Sequence, residues 1–146
     1  MMSKRGAFKR SKPVRYKTAR CILTFEDEFL LAVHSSFWAR PNRRWGLPGG
    51  GIERRESPEE AARREIAEEF DLDIDGLHEV GAYHYKKNLH VVYGAPVNKR
   101  LTYYDDRELL EIGWFSLPDI ERFADEGKLH AGYELAAINA YLEDHF

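Results

Sequence analysis

Hydrophobic positions along the chain follow two patterns, which together predict a protein of mixed strands and helices. Apolar residues that alternate with polar ones, or run continuously, indicate strands, and apolar residues three or four positions apart indicate helices. The first pattern predicts strands at 16–25, 29–33, 78–85, 89–97 and 111–117. The second predicts helices at 58–70, 118–124 and 132–142. The polar segments Glu26-Asp27-Glu28 and Lys86-Lys87-Asn88 would join the first four strands into two hairpins.

The helix at 58–70 carries the clearest local signals. Ser57 is a preferred N-cap residue, Pro58 suits the first helical position, and Glu60 completes a capping box. At about 100° per residue, an apolar stripe of this helix lies beside an acidic one. The apolar stripe consists of Ala62, Ile66 and Phe70, and the acidic stripe consists of Glu65, Glu68 and Glu69. We therefore expect the helix to bury one stripe and to present the other.

The acidic stripe indicates a cation site. Like charges three and four residues apart repel by a few tenths of a kcal/mol per pair, so the cluster lowers helix stability unless cations neutralise it. Carboxylates without neighbouring Cys or His ligands suit Mg²⁺ or Mn²⁺, which keep several waters and bridge to substrate phosphates. A solvated surface would explain three glutamates alone. The adjoining run Pro48-Gly49-Gly50-Gly51, together with Glu56 and Arg64, favours a site for phosphoryl chemistry.

The segment 50–72 resembles a known family motif. Gly50 is followed after five residues by Glu56, and after seven more by the run Arg64-Glu65-Ile66-Ala67-Glu68-Glu69. This spacing is similar to the Nudix box, G-x5-E-x7-R-E-U-x-E-E-x-G-U, in which U is apolar. Asp71 stands where the family usually has glycine, and Arg55 where a glycine is frequent. Because aspartate tolerates the left-handed conformation better than most residues, we expect the same helix exit at Asp71.

The resemblance extends to segments 45–51 and 111–115, and so covers the chain from about residue 16 onward. It implies an α/β fold, the Nudix-type α/β/α sandwich with a mixed β-sheet. It also implies a Mg²⁺-dependent pyrophosphohydrolase, in which water attacks phosphorus and cleaves a pyrophosphate bond in a nucleoside diphosphate linked to another moiety. By resemblance, the backbone carbonyl of Gly50 and the carboxylates of Glu65, Glu68 and Glu69 would hold Mg²⁺, with Mn²⁺ as a substitute.

The catalytic residues expected from the resemblance are Glu65, Arg64 and Glu68. Arg64 would hold the catalytic glutamate by a charge-assisted hydrogen bond, although helical spacing also makes Glu68 an available partner. Glu56 would support the loop or a metal-bound water rather than act as the sole base. The motif leaves the general base open. We favour Glu65, with carboxylates of a later loop as alternatives; these are Asp105, Asp106, Glu108 and Glu111.

Substrate recognition is expected outside the motif. Arg40 and Arg44, with Arg43, precede the glycine run and could clamp phosphate oxygens, since a guanidinium pairs bidentately with them. A solvated basic loop is the alternative. Trp38 and other aromatic residues could stack on a base or belong to the core; the others are Phe37, Tyr83 and Tyr85. Three histidines, interpreted as structural or substrate-facing, show no metal-ligand spacing; they are His34, His84 and His90.

Composition agrees with one domain at 16–146 behind a basic arm at 1–15. The chain has 146 residues and a formal net charge of -3, which gives no electrostatic argument for nucleic-acid binding. Cys21 is the single cysteine and lies in an apolar run, so we expect a buried thiol and a cytoplasmic location. We see no apolar run of membrane-spanning length. The expected partner is a small-molecule nucleotide or nucleotide sugar, and the oligomeric state is open between a monomer and a homodimer.

Two other functional classes share this fold. One is a module that senses a nucleotide without hydrolysing it, and the other is an isomerase of prenyl diphosphates. A sensor commonly lacks a motif glutamate or carries a DNA-binding domain, whereas every glutamate of the motif is present here. An isomerase needs an acid/base pair at a double bond, and no active-site cysteine is evident in this sequence. The intact motif therefore favours the hydrolase.

Overall fold

The computed structural model describes residues 14–35 and 43–145. Its strands are β1 (Thr18–Phe25), β2 (Glu28–His34), β3 (Gly49–Gly51), β4 (His78–Tyr85), β5 (Asn88–Pro96) and β6 (Leu109–Ser116). Its helices are α1 (Pro58–Phe70), α2 (Leu117–Asp125) and α3 (Glu134–His145). Among these described residues, no helix is both long enough and apolar enough to cross a membrane.

The six strands form one mixed sheet with β1 at its centre. The strand order is β4-β5-β1-β2-β6, and β3 pairs with β1 outside this path. β1 runs parallel to β5, whereas the other pairings between these six strands are antiparallel. On its other side β1 pairs with β3 at Thr18–Arg20 and with β2 at Thr24 and Phe25. The beginning of β1 therefore carries the glycine segment.

Alternation along β1 divides the core into two layers. Ala19, Cys21 and Leu23 point toward α1, and Ile22 points toward α2 and α3. The first layer also buries the apolar stripe of α1, which is Ala62, Ile66 and Phe70. The second layer contains Ile120 and Phe123 of α2 with Ile138 and Tyr141 of α3. Helices thus cover both faces of the sheet, and the predicted α/β/α sandwich is confirmed.

Most predicted elements are present with small shifts. The helix at 58–70 is confirmed at both ends, and both hairpins form. Their turns lack glycine, and Glu26, Lys86 and Lys87 adopt positive φ angles of 54°, 48° and 68°. Cys21 is fully buried, and this burial raises the pKa of its thiol. Of the predicted arm at 1–15, residues 1–13 lie outside the described part of the chain.

Two elements differ from prediction for identifiable reasons. β3 was not predicted, because three glycines have no side-chain pattern, and it exists through its pairing with Thr18–Arg20 of β1. α3 begins at Glu134 instead of residue 132, because the φ of 98° at Gly132 is incompatible with a right-handed α-helix. The Glu134 carboxylate accepts the backbone N–H groups of Ala131 and Gly132, at 2.9 and 2.8 Å, and so fixes this start.

Candidate active site

Local caps fix the helix that carries the three glutamates. The Ser57 hydroxyl accepts the N–H of Glu60 at 3.1 Å, and the Glu60 carboxylate accepts the N–H of Ser57 at 2.8 Å. At the other end, Asp71 adopts the left-handed conformation with a φ of 53°, and its N–H donates to the carbonyl of Ala67 at 3.0 Å. The predicted capping box and helix exit are therefore both present, and α1 has a defined start and end.

The glycine segment lies directly against the acidic stripe. A Cβ atom on Gly50 would stand 2.6 Å from the Glu65 carboxylate, so a side chain here would displace that carboxylate. Gly49 has a φ of 126°, and its N–H donates to Oε1 of Glu69 at 3.0 Å. Consequently the Gly50 backbone and the carboxylates of Glu65 and Glu69 border the same small space.

Arg64 lies at the centre of the acidic cluster. Its Nε and Nη2 donate to the two carboxylate oxygens of Glu56 at 2.7 and 3.0 Å, which is a bidentate pair. Its Nη1 donates to Glu65 at 3.0 Å and to Glu68 at 3.1 Å, and its Nη2 also donates to the carbonyl of Gly51 at 2.9 Å. Arg64 therefore contacts both of the partners that the sequence left open, and it ties the loop to the helix through Glu56.

The carboxylates differ in their electrostatic environments. Burial, reinforced by the charge of Glu65, raises the pKa of Glu69 to about 8. Burial also raises the pKa of Glu65, against the opposing effect of its hydrogen bond with Arg64. The hydrogen bond from Arg64 lowers the pKa of Glu56, and the same contact raises the pKa of Arg64. Glu65 and Glu69, whose pKa values are raised, thus lie beside Glu56, whose pKa is lowered.

The residues present fit a divalent cation by their chemistry. Glu65, Glu68 and Glu69 offer hard carboxylate oxygens, and the absence of a Cβ leaves the Gly50 backbone close to the Glu65 carboxylate. Within the described part of the chain, no group of three or more His, Cys, Asp or Glu side chains is already arranged around a metal position. Glu65 and Glu68 face Arg64 instead. A cation would therefore compete with Arg64 for these two carboxylates.

The later loop brings one further carboxylate toward the cluster. Asp105 donates its N–H to the carbonyl of Glu69 at 2.8 Å, while its side chain pairs with Arg107. Glu108 is exposed, and its negative charge contributes to the raised pKa values of both Glu65 and Glu69. Glu111 pairs with Arg43 at 3.5 Å. Among the carboxylates predicted as alternative bases, Glu108 is the one whose charge acts on both Glu65 and Glu69.

Of the predicted substrate-binding residues, the structure describes some and leaves others outside its described range. Arg44 is half-buried, and its Nε is a buried atom that has no hydrogen-bond partner among the described residues. An unpaired guanidinium N–H at this position is suited to an anionic oxygen. Arg40 and Trp38, with Phe37, lie outside the described residues. Arg43 is largely exposed and pairs with Glu111.

The predicted aromatic residues on β4 pack within the protein. Tyr83 stacks on Tyr133 with ring centroids 5.4 Å apart, and Tyr85 lies 5.3 Å from His130. His90 is buried and shares a hydrogen bond with the Thr18 hydroxyl at 2.7 Å. These contacts favour the core interpretation of the aromatic residues and the structural interpretation of His90.

Two polar residues lie behind the glycine segment: the sequence reasoning missed Arg20, and it named His34 as a structural or substrate-facing residue without its contacts. His34 is buried, lies 3.7 Å from Glu69 and is 3.0 Å from the carbonyl of Leu47. Burial lowers the pKa of His34 to about 3, so the ring is neutral at pH 7. Arg20 donates to the carbonyl of Gly49 at 2.9 Å. A charged residue inside the apolar strand β1 was the available signal for Arg20.

Comparisons with known proteins agree with this geometry. The family model of the NUDIX domain matches residues 15–134. A proposed 8-oxo-dGTP diphosphatase of Mycobacterium tuberculosis is 40% identical over 48 residues, which are 33% of this chain. The matched segment spans only 22% of the length of that relative.

Solved structures show the same fold. The NUDIX domain of Shewanella oneidensis NrtR, in complex with ADP ribose, has a TM-score of 0.71 at 22% identity, over 98% of this chain and 94% of that one. A hydrolase of the NUDIX family from Clostridium perfringens has a TM-score of 0.68 at 20% identity, over 87% of this chain and 97% of that one. The family match, the shared fold and the assembled glycine–glutamate cluster lead to one conclusion: this chain belongs to the NUDIX domain family.

Proposed function

We propose that this protein is a hydrolase that cleaves a pyrophosphate bond in a nucleoside diphosphate linked to another moiety. The observation that carries the proposal is the contact of Arg64 with Glu56, Glu65, Glu68 and Gly51, because it assembles the separated parts of the motif into one cluster. The glycine segment and the three box glutamates border this cluster. Such a constellation serves reactions at phosphorus.

In the proposed mechanism, the chain supplies a rigid anionic frame beside a cationic loop. Glu65, Glu68, Glu69 and the Gly50 carbonyl would hold Mg²⁺, or Mn²⁺ in its place. When bound, the cation neutralises the phosphate charge that repels an incoming nucleophile. Arg64 keeps the helix and the loop in register. Arg44 would bind a phosphate oxygen, with Arg40 and Trp38 as further proposed contacts to the substrate.

A carboxylate is proposed to take the proton of the attacking water. Glu65 remains the favoured base, because it is buried beside Gly50 and held in orientation by Arg64. Glu108 is the alternative, because it is exposed and its charge acts on the same carboxylates. The reaction breaks one P–O bond, and the oxygen of water enters one of the two phosphate products.

The substrate class rests on chemistry shared by two similar proteins. ADP ribose, bound by the Shewanella domain, and 8-oxo-dGTP, named for the Mycobacterium relative, both contain a pyrophosphate linkage on a nucleoside. We propose that this chain acts on a small molecule of this kind in the cytoplasm. The fully buried Cys21 is consistent with a reducing compartment, because it forms no disulfide.

A substrate panel with labelled water tests the proposal. The full chain would be incubated with nucleotide sugars, ADP ribose, dinucleoside polyphosphates, nucleoside triphosphates and 8-oxo-dGTP, each with and without Mg²⁺. We expect metal-dependent hydrolysis of at least one compound, with ¹⁸O from water in a phosphate product. Absence of turnover across the panel would contradict the hydrolase.

The alternative candidate is a nucleotide sensor, and the Shewanella domain is a protein of the same fold in complex with ADP ribose. Binding of ADP ribose by calorimetry, without any hydrolysis in the same samples, would support the sensor. The prenyl diphosphate isomerase has less support, because Cys21 lies in the sealed core and has no exposed surface. Isomerisation of a prenyl diphosphate in the same panel would reverse that judgement.

A further inference from the structure

Arg20 lies behind the glycine segment, on the face of the sheet opposite α1. Ala19 and Cys21 point into the core beneath α1, so strand alternation directs Arg20 to the face of α2 and α3. There it lines a cavity of about 40 Å³ together with Tyr133 and Glu134. This cavity is smaller than a nucleobase, which makes Arg20 part of the scaffold rather than a base-binding residue.

The guanidinium of Arg20 is fixed by several hydrogen bonds. Its Nη1 donates to the carbonyl of Gly49 at 2.9 Å and to the carbonyl of Leu47 at 3.4 Å. Its Nε donates to the hydroxyl of Thr18 at 3.3 Å, and that hydroxyl is bonded to His90. A planar guanidinium with five donors on three nitrogens can serve two carbonyls and a hydroxyl at once, whereas a lysine ammonium carries all its donors on one nitrogen at the end of a flexible stem.

The peptide groups around Gly49 are consequently held from both sides of the sheet. Glu69 accepts the Gly49 N–H from the side of α1, and Arg20 donates to the Gly49 carbonyl from the opposite side. His34 adds a second contact to Leu47 and approaches Glu69. Three consecutive glycines have the greatest backbone freedom of any sequence, so external hydrogen bonds must select one conformation for them.

We propose that Arg20 is a positioning residue for the cation site. By fixing the carbonyls of Leu47 and Gly49, it orients the next peptide group, whose Gly50 carbonyl is the proposed backbone ligand, and it keeps Glu69 engaged at the same turn. The inference rests on the proposed function, since it concerns the Mg²⁺ site of that hydrolase. Loss of an outer support of a metal ligand typically weakens metal binding by about 10–100-fold.

Direct measurement of Mn²⁺ binding tests the role without any substrate. The full chain, Arg20→Met and Arg20→Lys would be titrated with Mn²⁺, and free Mn²⁺ would be followed by electron paramagnetic resonance. Arg20→Met keeps most of the apolar stem and loses every donor, so we expect its Kd for Mn²⁺ to rise by at least about tenfold. Arg20→Lys keeps the charge but carries its donors on one nitrogen instead of three, so its Kd should lie between those of Arg20→Met and the unmodified chain. Thermal unfolding of each variant would show that it is folded.

Arg63 provides a matched control, because it also donates to two backbone carbonyls. Its Nη1 and Nη2 donate to Ile74 and Asp75, away from the glycine segment. Arg63→Met should lower the unfolding temperature and leave the Kd for Mn²⁺ unchanged. If Arg20→Met and Arg20→Lys lose stability to the same extent as Arg63→Met and keep the original Kd, Arg20 is only structural. Failure of the unmodified chain to bind Mn²⁺ would instead contradict the proposed function.

Discussion

Burial separates the three box glutamates, although they share one side of α1. Glu69 is 1% exposed and Glu65 is 9% exposed, whereas the Glu68 side chain is 45% exposed. Removing a buried charge disturbs the folded protein and the site together, whereas removing an exposed charge disturbs mainly the site. Glu68 is therefore the position at which catalysis and stability are most easily measured apart.

Glu68→Gln should lower kcat by a factor of about 10² or more, because it removes one charged cation ligand while preserving the side-chain shape. Its exposed pair with Arg64 contributes little, so the free energy of unfolding should change by less than about 0.5 kcal/mol. Glu59→Gln is the matched control, since Glu59 forms an exposed i,i+4 pair with Arg63 on the same helix. Steady-state kinetics and denaturant unfolding would check both values. An unchanged kcat would make Glu68 an ordinary surface residue.

Arg44→Ala should reduce kcat/KM by about 1.5–3 kcal/mol, the contribution of a charge-assisted hydrogen bond to a substrate phosphate. The exposed neighbour Arg43 serves as a control, and Arg43→Ala should cost less than about 0.5 kcal/mol. Equal effects of the two substitutions on kcat/KM would show that Arg44 has a structural role and does not bind the substrate phosphate.

At the scale of single residues, the sequence predicts contacts that depend on spacing within one element. Arg64 is adjacent to Glu65 and four residues from Glu68, so both contacts follow from helix geometry. The contacts of Arg20 and His34 with the glycine segment join residues of different elements. No local pattern contains that information, so only the folded sheet reveals these contacts.

Elements with local start and stop signals were predicted better than elements made by pairing. α1 was predicted at both ends because Ser57, Pro58 and Glu60 form its cap. β3 was missed because its hydrogen bonds come entirely from β1. The exit of α1 also lies in the local sequence, where Asp71 adopts a conformation that glycine adopts with less strain.

Asp71→Gly should therefore raise the free energy of unfolding by about 0.5–1 kcal/mol, since it relieves left-handed strain and removes a negative charge from the helix C-terminus. Asp71→Ala is the control that separates charge from backbone strain, because it removes the same charge but keeps a Cβ at a φ of 53°. We expect Asp71→Ala to be less stable than Asp71→Gly in denaturant titrations. The same stability for both variants would show that charge, and not backbone conformation, governs this position.

At the scale of the whole molecule, the site depends on β1, which pairs with different strands along its two edges. One strand carries the glycine segment on one side and β5 on the other, while its two faces support separate cores. Local patterns predicted the strands and helices, but the strand order could not be obtained from them, because parallel pairing of β1 with β5 spans more than sixty residues of sequence. The α/β/α arrangement was expected from the family resemblance alone.

The assembled site makes a prediction about the whole protein and its cation. Excess chelator should abolish turnover, and Mg²⁺ or Mn²⁺ should restore it. Because the glycine segment and α1 form one site only in the folded chain, the cation should also stabilise folding. At a concentration about 100 times its Kd, the gain in free energy of unfolding should be about 2.7 kcal/mol. Glu69→Gln should lose most of this gain, whereas Glu59→Gln should retain it. Full turnover in chelator would contradict the cation role, and an undiminished gain in Glu69→Gln would place the stabilising cation outside the proposed site.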